Sequence, residues 1–518
     1  MTGTKVDLFA VTAIVLVCAA TLVVGFFGLR LSRTTSDFYV ASRQVGPTRN
    51  ASAISGEYLS AASFLGVAGL IYERGFDSLW LPVGYTSGYV VLLVLVAAPL
   101  RRSGAYTIPD FAEMRMQSQT IRRFSALLVV AIGWLYLLPQ FQGAGLSLRS
   151  VTGWPTWVGP VVVVVTVTLG VAAGGMRSIT LVQAMQYWLK LCALAIPAFV
   201  LLFLWTSQGS PGPREIAGGG TVLREWYEPL VRSATDPYPL YSTYSTLLAL
   251  CLGTMGLPHV LVRFYTNPDG KAARRTTVVV IGLIGMFYLM PPIYGVLARV
   301  YLPQLGVEVP SDQVVLQLPK AAFPGLTGDL LAAILAGGAF AAFLSTASGL
   351  VVSIAGVLAQ DVLRPALAKM TTGDSDVIQS FRLATFIAVL VPLIGAVFTA
   401  PLGLARTVNL AFAIAASTLA PLLLLGVWWR RLTVPGAFAG LFVGGGLAAA
   451  ATGITVVFRP EPGWLATVLS QPAAWCIPAA FATMMIGSLL TQKQIPPGTP
   501  KTMARLHTPE GVELKSVR

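Results

Sequence analysis

Residues able to do chemistry are sparse in this 518-residue chain and gather at a few places. In SAISGEYLSAASFLGVAG, residues 52–69, small side chains surround Gly56 and the acidic Glu57. In LGTMGLPHVLVRF, residues 252–264, Gly253, Gly256 and Pro258 crowd together beside His259. A third cluster, Ser345, Thr346 and Ser348, interrupts an otherwise apolar run. Hydroxyl and carbonyl oxygens are the ligands a hard cation takes in place of its water shell. Ser345 and Thr346 therefore suit sodium, with carbonyls from an unwound stretch near Gly56; the competing reading is a pair bonded to its own helix backbone. Gln140 and Gln142 in LLPQFQGAG need buried partners, and either face a substrate cavity or join a packing network. Tyr136 and Trp134 are candidates for an apolar wall. Glu57 either screens a cation, takes part in protonation or pairs with an arginine. His259 reads as a hydrogen-bonded neutral imidazole or a proton relay. With two histidines and four scattered cysteines (Cys18, Cys192, Cys251, Cys476), a metal or haem centre lacks ligands and the cysteines read as core fillers.

The elements that position these residues follow from composition. With 55% hydrophobic and 11% charged residues the chain cannot clothe a soluble core. It reads as an all-α integral membrane protein. Thirteen spans are predicted, at about 6–28, 50–71, 80–99, 124–147, 157–173, 181–205, 241–262, 276–298, 330–359, 380–400, 404–428, 434–457 and 470–490, each able to cross about 30 Å of hydrocarbon. The net charge of +14 is dispersed over short loops without a nucleic-acid motif. Most basic residues, among them Arg101, Arg102, Arg115, Arg122, Arg123, Arg263 and Arg274, fall in loops on one side, while Arg74, Arg214, Arg299 and Arg406 fall on the other. That asymmetry predicts an outside N-terminus and a cytoplasmic tail. Lys190 is the lone basic residue inside a predicted span. GGGTV at 218–222 lacks the lysine of a phosphate loop, and no nucleotide-driven motor is expected.

Glycine and proline at Gly56 and at Gly253–Pro258 predict breaks in the second and seventh spans, since proline opposes a continuous helix and broken helices at membrane depth line cavities. Five spans separate them. Spans 2–6 and 7–11 then form two five-helix units of opposite orientation, the plan of an alternating-access carrier. The expected organisation is an extra N-terminal helix (1–32), a first repeat (50–205), an extracytoplasmic loop (206–240), a second inverted repeat (241–428), two peripheral helices (434–490) and a mobile cytoplasmic tail (491–518).

The stretches SGEYLSAASFLG at 55–66, TIPDFAEMR at 107–115, GLPHVLVRFYT at 256–266 and LAFAIAASTLAPLLLLGVWWRRLT at 410–433 resemble the sodium/solute symporter family, within it the cation/acetate and monocarboxylate branch, with the likeness running from about 33 to 445. The resemblance implies a LeuT-like core of two inverted repeats. It also implies a sodium site between the second and ninth spans, with Ser345 and Thr346 as side-chain ligands and Ala342, Gly56 and Leu59 supplying backbone oxygens. Acetate-transporting members carry small apolar residues where Ser345 and Thr346 stand, which favours sodium here and weighs against acetate in particular. Glu57 and Leu59 replace the branch's aspartate and methionine with retained character. The implied substrate is a small organic anion, a short monocarboxylate such as acetate, propionate or pyruvate. Gly253, Thr254, Gly256 and Gln140 would receive its carboxylate and Tyr136 would wall its carbon tail. Sodium is the co-transported ion and no organic cofactor or enzymatic step is expected. The lipid bilayer is the setting, a bacterial-type inner or plasma membrane, and a monomer would suffice. A proton-coupled carrier, a sodium-coupled carrier of another solute and a membrane sensor are the alternatives, the last disfavoured by a tail too short for a signalling domain.

Overall fold

A computed structural model describes residues 6–29, 41–216, 223–232, 236–305, 309–363, 374–398, 403–458, 460–461 and 463–510. The GGGTV stretch and several counted basic residues, Arg30, Arg33, Arg364 and Lys369 among them, lie outside these. The described residues are helical, and the predicted spans recur in order. They are α1 (Leu8–Phe27), α2 (Pro47–Tyr58 with Ala62–Arg74), α3 (Phe76–Leu95), α4 (Gln119–Thr152), α5 (Val158–Ala172), α6 (Gly174–Ser207) and α7 (Pro239–Val262). Then come α8 (Gly270–Gln304), α9 (Leu326–Leu363), α10 (Ile378–Phe398), α11 (Leu404–Trp428), α12 (Val434–Phe458) and α13 (Ala473–Leu490). Eleven are long and apolar enough to cross a bilayer, α2 makes a twelfth if its two bent halves count as one span, and α5 is apolar but shorter.

Both expected breaks are present, each with a local cause. The halves of α2 meet at 70°. Helical geometry ends at Leu59 (φ −73°, ψ 87°), within a run of glycine, serine and alanine small enough to let neighbouring backbone approach. A Cβ at Gly56 would collide with the carbonyl oxygen of Gln183 on α6. In α7, Pro258 clashes with a helical residue before it and drives Leu257 to an extended conformation (φ −77°, ψ 119°). Pro258 then opens the next helical segment at a position where its missing N–H costs nothing. Between α5 and α6 the reversal falls on Gly175 at φ 56°, which a glycine adopts without a Cβ penalty.

The core sits around α9. Of its most apolar stretch 89% is buried, against 28% for α1 and α12, so α9 is the central post and those two face lipid. It packs against α1, α4, α6 and the first half of α2. The outlying α12 and α13 seal to each other along Gly436, Gly440 and Gly444, whose missing side chains admit Ser488, Met484 and Ala480.

Three sequence expectations are corrected here. Arg115, Arg263 and Arg299, counted as loop charges, are buried; Arg115 caps backbone carbonyls of Gly426 (2.9 Å) and Trp429 (3.0 Å), and Arg299 that of Tyr72 (2.6 Å). The tail expected to be mobile contains a helix, Thr499–His507, that buries Met503 and Leu506; its Thr499 hydroxyl accepts from Arg115 at 3.2 Å. An amphipathic stripe explains the docking and had no apolar run to announce it. Cys192 is exposed on α6 rather than filling the core.

The face carrying the basic loops is closed by Arg122, which pairs with Asp110 (2.8 Å), Glu113 and Asp361 and so clamps the helix Ile108–Met116 and α4 to the end of α9. On the opposite face residues 311–313 lie over the start of α11, where Asp312 accepts from the Leu404 amide at 3.3 Å. Burial pushes the Asp312 carboxyl up to about 6, with Glu73 nearby adding repulsion. A carboxyl raised above its unfolded value contributes docking free energy in its neutral form, complete below about 3.8 and lost as pH climbs through about 6. The expected result is a wild-type melting temperature that falls relative to Asp312→Asn between pH 5 and pH 8. A constant difference across that range contradicts it.

Candidate functional site

The break in α2 brings its last helical carbonyls to α9 and α6. Thr346 donates its hydroxyl to the Glu57 carbonyl (2.7 Å), and Ser345 donates to Ala342 O (3.1 Å) one turn earlier on α9. The Gly56 and Leu59 carbonyls converge on the same spot as the Ser345 hydroxyl, because all three accept from one group, the Lys190 ammonium. The five residues expected to form a cation site, Gly56, Leu59, Ala342, Ser345 and Thr346, are thus brought together. The competing reading of the hydroxyl pair holds in part, since Ser345 does bond its own helix backbone.

Behind this cage lies a buried ion pair. Arg263, just beyond the broken segment of α7, donates Nε to Glu57 Oε2 at 2.7 Å, with both side chains 1% exposed. Its other nitrogens reach Thr180 Oγ1 (2.7 Å) and Gln183 Oε1 on α6, and Gln183 in turn donates to Ser345 O at 2.8 Å. Of the readings open for Glu57, the arginine pair is the one present.

The two breaks face each other across an aromatic box. The Tyr58 hydroxyl lies 3.0 Å from Thr254 Oγ1 and 3.1 Å from Tyr85 O. Its ring meets Tyr89 edge-on at 4.8 Å, Tyr85 at 6.0 Å and Phe412 of α11 at 6.2 Å. Tyr136 stands 5.9 Å from Phe412 and 5.2 Å from His259. Gln140 accepts from the Ala61 amide (3.1 Å) and donates to Tyr136 O (3.3 Å), so it stitches α4 to the break in α2. Gly253 and Gly256 lie against α11, where a Cβ would come within 2.6 Å of Phe412 O and 2.5 Å of Ala415 O. Trp134 is not part of the box; its indole donates to Ala388 O on α10 at 3.1 Å. His259 departs from its hydrogen-bonded reading: neither ring nitrogen has a hydrogen-bond partner among the described residues. The same holds for the hydroxyls of Tyr89 and Ser417. Sequence reading passed over Tyr58, Tyr85, Tyr89 and Phe412, whose closeness depends on which faces three helices present.

A cavity of about 180 Å³ on the side opposite the basic loops is lined by Arg74, Arg406, Asn409, Asp236 and Gln471. Its floor reaches the box, because the Tyr85 hydroxyl donates to Asn409 Oδ1 at 3.2 Å. One face therefore carries the Arg122 clamp, while the cavity on the other is joined to the buried box through the Asn409–Tyr85 bond.

A bundle whose second and seventh spans break around a buried polar cluster, with a cavity toward one face and an ion-pair clamp at the other, is the architecture of a secondary transporter. The chain belongs to the sodium:solute symporter family, whose model matches residues 38–444. It is 32% identical over 489 residues to the uncharacterized symporter YwcA of Bacillus subtilis, covering 91% of this chain and 92% of that one. It is 31% identical over 491 residues to the monocarboxylic acid transporter of Corynebacterium glutamicum, covering 89% and 88%. Among solved structures it is similar to a Na+-coupled sialic acid symporter in its outward-open state, with a TM-score of 0.71, 15% identity, and 93% and 97% of the chains covered. MhsT in complex with L-phenylalanine gives 0.54 at 16% identity over 84% and 97%. These neighbours establish the LeuT-like fold. The chain is a multi-pass membrane symporter of the sodium-coupled kind and not an enzyme.

Proposed function

We propose that this symporter imports a short monocarboxylate, such as acetate, propionate or pyruvate, together with sodium across a plasma membrane, with its N-terminus outside. The observation that carries the substrate reading is the group of buried, unpartnered polar side chains beside the two breaks: Tyr89, His259 and Ser417. Buried polar groups normally have partners, and a small polar solute supplies them. Tyr58, Tyr136 and Phe412 add an apolar wall whose rings already touch, which favours a solute of few carbons. Arg74 and Arg406 outnumber Asp236 in the cavity, and its net positive charge draws an anion inward by raising the local concentration of counter-ions. The name of the Corynebacterium relative points the same way. Sodium is supported by the family and by the converging oxygens of Gly56, Leu59, Ala342, Ser345 and Thr346. Gly253, Thr254 and Gly256 serve the site by packing the broken α7 against Tyr58 and α11, with Gln140 fixing the break in α2.

In the cycle, solute and sodium enter from the open face and draw α2 and α7 together. The Arg122 clamp then yields, and both are released to the cytoplasm. Coupling requires the doubly loaded carrier to switch more readily than one loaded with a single species, a matter of differential affinity between the two conformations.

Ligand-induced stabilisation tests the substrate class. Propionate or pyruvate at a hundred times its Kd is expected to stabilise the purified protein by about 2.7 kcal/mol, with glucose and serine giving no shift and Gln140→Ala weakening the response. Stabilisation by the sugar or the amino acid and by none of the acids would sink the monocarboxylate reading.

A further inference from the structure

Lys190 sits fully buried on α6, and its ammonium has three donors and three acceptors: Gly56 O, Leu59 O at 2.7 Å and Ser345 Oγ at 3.0 Å. Those acceptors are three of the five groups proposed to hold sodium. The remaining two do not leave room elsewhere, because Ala342 O is taken by the Ser345 hydroxyl and Thr346 bonds the carbonyl of Glu57. The nitrogen therefore stands where a sodium ion bound by this cage would stand. A packing role alone would be met by any apolar side chain of that length. A buried ammonium in a membrane helix is costly and marks an ion pathway more often than a strut.

Charge balance strengthens the point. Around the cage the buried charged groups are Glu57 on α2, Arg263 after α7 and Lys190 itself, one carboxylate against two cations, with the His259 imidazole buried beside Arg263. Glu57 already gives one oxygen to Arg263. From α9, the element facing Lys190, come only hydroxyls near Ser345, since its Asp329 and Asp361 lie at opposite ends. No spare negative charge among the described residues awaits a third cation. Sodium and the ammonium are both compact monocations that prefer hard oxygens, and like charges sharing one small low-dielectric cage repel strongly.

We propose that Lys190 is a tethered cation that competes with sodium for this cage, so that sodium binds only when the ammonium withdraws. The inference rests on the placement of sodium at these five residues. With the ammonium in place, the break in α2 is tied to α6 and α9 without sodium; with sodium in place, the carbonyls are released from the lysine. Lys190 thereby sets how strongly the carrier depends on external sodium.

The test uses the full chain in proteoliposomes, with labelled propionate uptake measured as sodium replaces choline at constant ionic strength. Sodium-induced thermal stabilisation is recorded in parallel, a readout that survives loss of transport. Lys190→Met is expected to lower the half-saturating sodium concentration at least tenfold, and Thr346→Ala added to it should abolish that gain. Lys190→Gln, which keeps a donor for one carbonyl, is the second variant should the methionine form fail to fold, and should shift in the same direction. A wild type indifferent to sodium beside a sodium-responsive Lys190→Met upholds the competition while overturning sodium as the native chain's driving ion. Equal sodium responses in wild type and variants overturn the competition and leave the sodium reading standing. A weaker response in the variants, or none in any form, also overturns the competition.

Discussion

Arg263→Met is expected to destabilise the protein by about 3–5 kcal/mol, the cost of leaving a buried carboxylate without its cation. Arg263 bonds Glu57, Thr180 and Gln183 at once, and so joins the second span, the sixth and the chain just beyond the seventh. No water reaches this pair, each side chain being 1% exposed, so neither charge can be solvated when the other is removed. The carboxylate also leans on α9 at Gly349, where there is no space for a methyl group. Adding Glu57→Gln to Arg263→Met removes the orphaned charge and should recover a large part of the loss, because replacing both partners of a buried pair is far milder than removing one. Denaturation of the single and double variants in detergent measures this directly. A double variant no more stable than Arg263→Met would show that the pair is not the source of the effect.

The second large effect is expected from Gly253→Ala with Gly256→Ala. Each added Cβ meets backbone oxygen of α11, at 2.6 Å from Phe412 O and 2.5 Å from Ala415 O, and backbone cannot step aside as a flexible side chain can. Overpacking of this kind costs about 1–3 kcal/mol per site. The functional consequence should exceed the loss in stability, since pushing α7 from α11 pulls Thr254 from Tyr58 and Phe412 from the aromatic box together. Uptake should fall at least tenfold in the fraction that remains folded, while Gly282→Ala, a position on α8 with open space around it, should leave uptake unchanged. Equal uptake by the double variant and Gly282→Ala would mean that the α7–α11 contact does not position the site.

The spans and both breaks were legible because each depends on neighbours in sequence: apolar runs of bilayer length, small residues around Gly56, and Pro258 acting on Leu257. The meeting of Ser345 and Thr346 with the second span was suggested by the hydroxyl pair and the small residues near Gly56, and likeness to a family named the further carbonyls of Leu59 and Ala342. Lys190 did leave a signal, a lone basic residue in an apolar run, yet two of its three partners are carbonyls of Gly56 and Leu59 and have no side-chain signature. Arg263 was read as a loop charge because it follows an apolar stretch, and burial turned on a glutamate two hundred residues earlier in the chain. Glycines 253 and 256, read as donors for a carboxylate, are also contact points for the backbone of α11, a packing role that composition does not show. The aromatic box drew on three separate helices, and only their packing shows that Tyr58, Tyr85, Tyr89 and Phe412 share it.

Gradient-driven accumulation tests the central claim most directly. Labelled acetate, propionate and pyruvate would be presented to proteoliposomes holding the full chain, with sodium and proton gradients imposed separately. The account predicts that at least one acid rises above its outside concentration when sodium is directed inward, and only equilibrates when sodium is equal on both sides. Equilibration without accumulation under either gradient, by protein that still binds the acid, would contradict it.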